Sequence, residues 1–135
     1  MSRTAQCACG ALRIEASGEP ELVIACHCQA CQRRTGSAYG VGAYFKNDTV
    51  HIEGPSTTFV RQAPEGRLLR NHFCPTCGTT LFWRADRLPH LVGIAVGGFK
   101  EATSFRPTTS IWESAGHSWA TVEGDIPHFA GARPA

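Results

Sequence analysis

Apolar positions along this chain recur mostly at every second residue or in short unbroken bursts. Leu12, Ile14 and Ala16 alternate with Arg13 and Glu15, and Val50 and Ile52 alternate with His51 and Glu53. That is the period of a strand with one buried face. Further stretches of strand character run from Glu21 to Cys26, Ser37 to Phe45, Thr57 to Gln62, Arg67 to Phe73, Thr79 to Arg84, Leu91 to Phe99 and Thr109 to Glu113. Gly, Pro, Asn or Asp separates them, as turns require. The pattern predicts eight or nine short strands in sheet-on-sheet or barrel-like packing. It predicts one short helix, from Cys28 through Arg34, with Gly36 as the C-terminal glycine. The tail from Pro127 to Ala135 is small and Pro-rich, so its end is expected to be loosely ordered.

Composition narrows the class. A chain of 135 residues with 42% hydrophobic and 18% charged positions is expected to form one globular domain, residues 1–135. Its 14 glycines and 8 prolines favour turns and β structure over long helices. The net charge of +2 is spread along the chain, with no basic run beyond Arg33-Arg34, and forecasts no nucleic-acid partner. Residues Met1 to Gln6 carry no apolar leader, and no stretch reaches bilayer length, so no membrane association and a cytoplasmic location are expected. Nothing in the pattern sets an oligomeric state.

Cysteine changes the picture most. All seven fall in three groups: Cys7-Ala8-Cys9-Gly10, Cys26-His27-Cys28-Gln29-Ala30-Cys31, and Cys74-Pro75-Thr76-Cys77-Gly78. In a reducing compartment such clusters read as metal ligands, and an odd count with Cys-x-Cys spacing argues against disulfides. The third group has the spacing of a zinc knuckle, two sulfurs facing one ion and a glycine that lets the backbone turn. The simplest partition closes one site with Cys7, Cys9, Cys74 and Cys77 and leaves Cys26, Cys28 and Cys31 as an open site, although spacing alone admits other pairings. A fourth ligand from elsewhere, such as one of the six histidines, would turn the open site into a structural one.

Three thiolates on zinc(II) carry a net charge of −1, which weakens the ion's capacity to ionise water but suits it to a soft ligand. The open site therefore points to thiol chemistry, with a small thiol as substrate and a carbon-sulfur bond made or broken there. Arg33 and Arg34 follow the third ligand and, with Arg61, Arg67 and Arg70, are candidates to receive carboxylates of an acidic thiol. His27, between two ligands, is expected to point away from the metal as a core or supporting residue. Phe73, Phe82, Trp83, Trp112 and Trp119 read as core or pocket walls.

The motifs Cys-x-Cys-Gly-x-x-Arg, Cys-His-Cys-x-x-Cys-x-x-x-x-Gly and Phe-Cys-x-x-Cys-Gly, with the late Arg106-Pro107 and Ile111-Trp112, span nearly the whole chain. Together they resemble the glutathione-dependent formaldehyde-activating enzyme family, whose domain also occurs in centromere protein V. The resemblance implies a mainly β fold, a zinc-containing β-tent of short antiparallel strands with one short helix. It implies two Zn2+ ions per chain, a structural one on Cys7, Cys9, Cys74 and Cys77 and a catalytic one on Cys26, Cys28 and Cys31. The implied activity is condensation of formaldehyde with glutathione to S-hydroxymethylglutathione, classed as a carbon-sulfur lyase. The chain departs from the family at Thr4-Ala5-Gln6, where members usually carry glycine. The same fold is shared with a Rab-binding chaperone, so a non-catalytic, zinc-stabilised binding module is the competing expectation.

Overall fold

The computed structural model describes residues 1–101 and 105–134. The predicted alternation is present: in β2 (Arg13–Ser17) Ile14 and Ala16 are buried while Arg13, Glu15 and Ser17 are exposed. This strand sits between β1 (Ser2–Gln6) and β5 (Val50–Glu53) in a three-stranded antiparallel sheet. β1 was not anticipated. Of its five residues only Ala5 is buried, so its pattern carries little signal, and its pairing with β2 makes it a strand.

The second sheet has seven strands in the order β10-β3-β4-β9-β8-β7-β6. These are β3 (Leu22–Cys26), β4 (Gly40–Lys46), β6 (Thr57–Gln62), β7 (Leu68–Phe73), β8 (Thr80–Ala85), β9 (Leu91–Ala95) and β10 (Thr109–Ile111). The chain is mainly β, as expected, with one difference. β10 lies parallel to β3, with Thr109, Ser110 and Ile111 opposite Ile24, Ala25 and Cys26. The long return from β9 brings β10 in alongside β3 in the same direction, which a hairpin connection cannot do.

The two sheets share one core. Leu12 and Ile14 meet Phe45, Leu81, Val92 and Ile94 there, all fully buried, with the Phe99 ring tilted against Phe45 and the Phe105 ring edge-on to it. Because side chains alternate across a strand, the remaining positions of the large sheet face the other way. The register shows which these are: Ile24 lies opposite Gly42, Tyr44 opposite Gly93, Gly93 opposite Trp83, and Trp83 opposite Asn71. That outer face forms the floor of a cleft.

The indole of Trp83 lies flat across this floor because two of its neighbours have no side chain. A Cβ at Gly42 or at Gly93 would collide with the ring. Its Nε1–H donates to the Tyr44 hydroxyl at 2.9 Å, which leaves the polar atom of a buried Trp satisfied.

α1 (Gln29–Thr35) begins where β3 ends. Cys28 caps it, its Sγ accepting from the Cys31 N–H at 3.4 Å, and Gly36 closes it at φ 66°, its N–H donating to Gln32 O. The left-handed conformation explains glycine at this position.

The tail was expected to be loose at its end; the structure ties down the stretch before it, residues 127–131. Ser110 N–H donates to Pro127 O, Phe129 N–H to Ser110 O, and Trp112 N–H to Gly131 O, at 2.9–3.0 Å. Residues 127–131 thus run beside β10 on its free edge; Ala135 lies outside the described residues. Among the described residues no helix is long and apolar enough to cross a membrane.

Candidate metal centres

Two turns of nearly the same construction build the first centre. In one, Cys7 N–H donates to Leu12 O at 3.0 Å, Gly10 N–H to Cys7 O at 3.1 Å, and Leu12 N–H to Cys7 Sγ at 3.3 Å. In the other, Cys74 N–H donates to Thr79 O at 3.0 Å, Gly78 N–H to Cys74 O at 2.8 Å, and Thr76 N–H to Cys74 Sγ at 3.4 Å. Gly10 and Gly78 both have φ near 80°, a conformation that costs glycine little. Ala8 N–H joins the turns by donating to Thr79 Oγ1 at 3.1 Å.

The four sulfurs of Cys7, Cys9, Cys74 and Cys77 lie within 4.8 Å of one another and could hold a metal ion. Cys9 Sγ is 3.7 Å from both Cys7 Sγ and Cys74 Sγ. A zinc tetrahedron with Zn–S of about 2.3 Å has an edge of about 3.8 Å, so the donor set fits zinc. The N–H groups aimed at sulfur favour thiolates, the form that binds metal. Cys77 is pulled down to about 5, first by the Thr79 hydroxyl and then by the Thr79 N–H.

The second set, Cys26, Cys28 and Cys31, comes from the last residue of β3, the helix cap and the first turn of α1. Their sulfurs also lie within 4.8 Å of one another, with no fourth Cys, His, Asp or Glu among the described residues joining them. Without a cation three thiols this close cannot all ionise. Hydrogen bonds from Cys26 and then Cys31 pull Cys28 down to about 2, with Arg61 adding to the pull. Cys26 goes the other way, raised first by Cys28, then by Cys31 and burial. A divalent cation would remove this conflict, and three soft donors with N–H support suit zinc as well as the first set does.

His27 is turned away from the sulfurs. It is 2% exposed, its Nδ1 lies 3.1 Å from Ile111 O, and its ring packs on Tyr39 at 4.9 Å.

The three-cysteine set opens into a cleft of about 540 Å³ over the floor of the large sheet. Five arginines line it, Arg34, Arg61, Arg67, Arg87 and Arg133, against a single carboxylate, Glu65. The Arg34 guanidinium lies over the Trp83 ring at 4.3 Å, so the tryptophan seated on two glycines also sets the place of a cation. Of the five arginines expected from sequence, three are here and two are not. Arg33 is exposed on the last turn of α1, and Arg70 is tied to Asp86 at 2.7 Å. Arg87 and Arg133 were missed because nothing local marks them; each arrives on a loop or tail far in sequence from the cysteines.

A mainly β protein with one four-sulfur and one three-sulfur cluster, the latter facing a cationic cleft, defines a class of cysteine-rich proteins equipped for metal. The chain belongs to the glutathione-dependent formaldehyde-activating enzyme family, whose sequence model matches residues 2–115. No curated protein matches it. Among solved structures it is similar to a Rhodobacter sphaeroides protein determined by structural genomics, at 21% identity and a TM-score of 0.56. That match covers 73% of this chain and 88% of the other. The likeness bears on the fold alone.

Proposed function

We propose that this protein is a single-domain, cytoplasmic zinc enzyme that joins a small thiol to formaldehyde, a carbon-sulfur lyase in the reverse sense. In this reading Cys7, Cys9, Cys74 and Cys77 hold a structural zinc, and Cys26, Cys28 and Cys31 hold the working one. The observation that carries the reading is the three-sulfur cluster opening onto a cleft large enough for a tripeptide thiol. A purely structural centre has no use for such an opening. Family membership supports glutathione as the thiol.

Zinc bound by three thiolates would keep a fourth position for the substrate sulfur and lower that thiol's pKa. Everything else falls to the chain. Arg34 and Arg61 offset the negative charge of the sulfur cluster, since each favours a thiolate there, Arg61 on Cys28 and Arg34 on Cys31. Tyr44 accepts from Trp83 Nε1–H, so its own hydroxyl proton remains available to the cleft. Burial pushes its pKa up to about 12, which keeps it a phenol. It is the candidate donor to the aldehyde oxygen as the carbon-sulfur bond forms. The balance is an addition: the thiol loses its proton, sulfur bonds to the carbonyl carbon, and the carbonyl oxygen takes a proton. No oxidant or reductant is required.

The test is exchange of 13C-labelled formaldehyde with its glutathione adduct, followed by NMR on zinc-loaded protein. Exchange faster than the uncatalysed rate, lost in Cys28→Ser, supports the reading. An uncatalysed rate with zinc fully bound sinks it.

A further inference from the structure

The family match ends at residue 115, but the cleft does not: Ala132 and Arg133 line it too. We propose that the C-terminal tail is a specificity element of the substrate cleft, with Arg133 recognising carboxylates of the bound thiol. The proposal rests on the reading of that cleft as a thiol site and adds a residue and a segment to it.

Three observations place the tail there. It is held along its length by backbone pairing of residues 127–131 with Ser110, Trp112, Glu113 and Ser114, the Ser114 hydroxyl adding a bond to Ala130 O at 2.7 Å. A parallel bridge between Ser110 and His128 starts this pairing at the edge of β10, and the bonds to Trp112, Glu113 and Ser114 continue it past the strand's end, so the tail has a defined register. Beyond the paired stretch the chain runs to the cleft wall, where the Arg87 guanidinium donates to the Arg133 carbonyl. One cleft arginine thereby fixes the backbone of another.

The second strand of the argument is charge. Five arginines against one carboxylate is more positive charge than the sulfur cluster needs, because a three-thiolate zinc site is only −1. Two of the five, such as Arg34 and Arg61, already more than balance that charge. Arg133 belongs to the surplus, which suits a ligand carrying carboxylates of its own. Guanidinium pairs with carboxylate in a fixed fork, so such contacts select by geometry as well as by charge.

The experiment uses the full-length, zinc-loaded protein and its Arg133→Ala and Arg133→Glu variants. Each is titrated by calorimetry with three probes: glutathione, S-methylglutathione, which keeps both carboxylates but has no thiol, and 2-mercaptoethanol, which has a thiol and no carboxylate. Arg133→Ala is expected to weaken glutathione and S-methylglutathione by the same factor, about tenfold, which is about 1.4 kcal/mol. Arg133→Glu should weaken them further, and 2-mercaptoethanol should bind as to the unaltered protein. Unchanged binding of both carboxylate ligands overturns the proposal. So does equal weakening of all three probes, which would mean a distorted cleft, and so does failure of both carboxylate ligands to bind the unaltered protein. The thiol-site reading fails separately, if glutathione binds the unaltered protein no more tightly than S-methylglutathione does.

Discussion

Cys77→Ser and Cys28→Ser each delete one sulfur from one cluster, yet they should not cost the fold the same. Cys77 is exposed, so its replacement removes a ligand and almost no packing. The cluster it belongs to ties residues 65 positions apart, Cys9 to Cys74. Closing a loop of that length removes about 4 kcal/mol of chain entropy from the unfolded state, on the relation used for covalent cross-links. Cys28 belongs to a cluster whose members span only Cys26 to Cys31. The same relation assigns that loop about 2 kcal/mol. Serine at position 28 also keeps the helix capped, because its hydroxyl can accept from the Cys31 N–H as sulfur does. The difference of about 2 kcal/mol corresponds to at least about 6 °C in Tm, at roughly 3 °C per kcal/mol for a chain of this size. Differential scanning calorimetry on the zinc-loaded variants, with zinc counted by mass spectrometry, is the assay. Cys28→Ser should melt about 6 °C below the unaltered protein with about half its zinc, and Cys77→Ser about 12 °C below it. Equal losses of Tm would refute the division of the clusters into a working and a tying site.

Other outcomes follow from the same geometry. Gly93→Ala should destabilise the protein by about 1–3 kcal/mol in denaturant unfolding, the usual cost of overpacking, because the new Cβ meets the Trp83 ring. It should also weaken glutathione binding, since Arg34 rests on that ring; tight binding in a destabilised Gly93→Ala would count against that support. Zinc removal by a chelator should lower Tm, metal affinity being folding affinity in such sites, and a Tm indifferent to the chelator would contradict a tying metal. His128, whose Nδ1 is 2.6 Å from Glu113 Oε2, has its pKa raised by that carboxylate. The pairing should therefore hold the tail fully below the ordinary imidazole pKa of about 6.5 and release as pH rises through the raised value, provided Glu113 stays ionised, above about pH 4.3. An NMR titration should place His128 above its ordinary pKa and return it there in Glu113→Gln; a normal His128 in the unaltered protein would refute the pairing.

The fold was legible where a strand has one face in the core and the other in water. Arg13–Ser17 and Val50–Glu53 show their alternation openly. Strands of the large sheet read instead as apolar bursts, because positions on the face turned away from the core are buried too, as Ile24 in β3 and Gly93 in β9 are. β1 was invisible, since pairing and not its own pattern makes it a strand. The cysteine groups announced their turns, as each spacing is a local geometric demand and each glycine a local remedy. The cleft was not legible in the same way. Gly42 and Gly93 look like weak strand residues until Trp83 is laid across them, and Arg87, Arg133 and the parallel edge strand depend on contacts between segments far apart in sequence. A Pro-rich tail reads as loose because its order comes from hydrogen bonds to Ser110–Ser114 and to Arg87, segments distant in sequence.

The central claim is that Cys26, Cys28 and Cys31 hold a zinc whose fourth position is kept for a substrate thiol. Its most direct test is a crystal structure of the zinc-loaded protein grown with glutathione, the metal located by anomalous scattering. The account predicts zinc in both clusters, four protein sulfurs on one, and on the other three protein sulfurs with the glutathione sulfur completing the tetrahedron at about 2.3 Å. A fourth protein ligand on the Cys26, Cys28, Cys31 zinc, with glutathione excluded from it, would contradict the account.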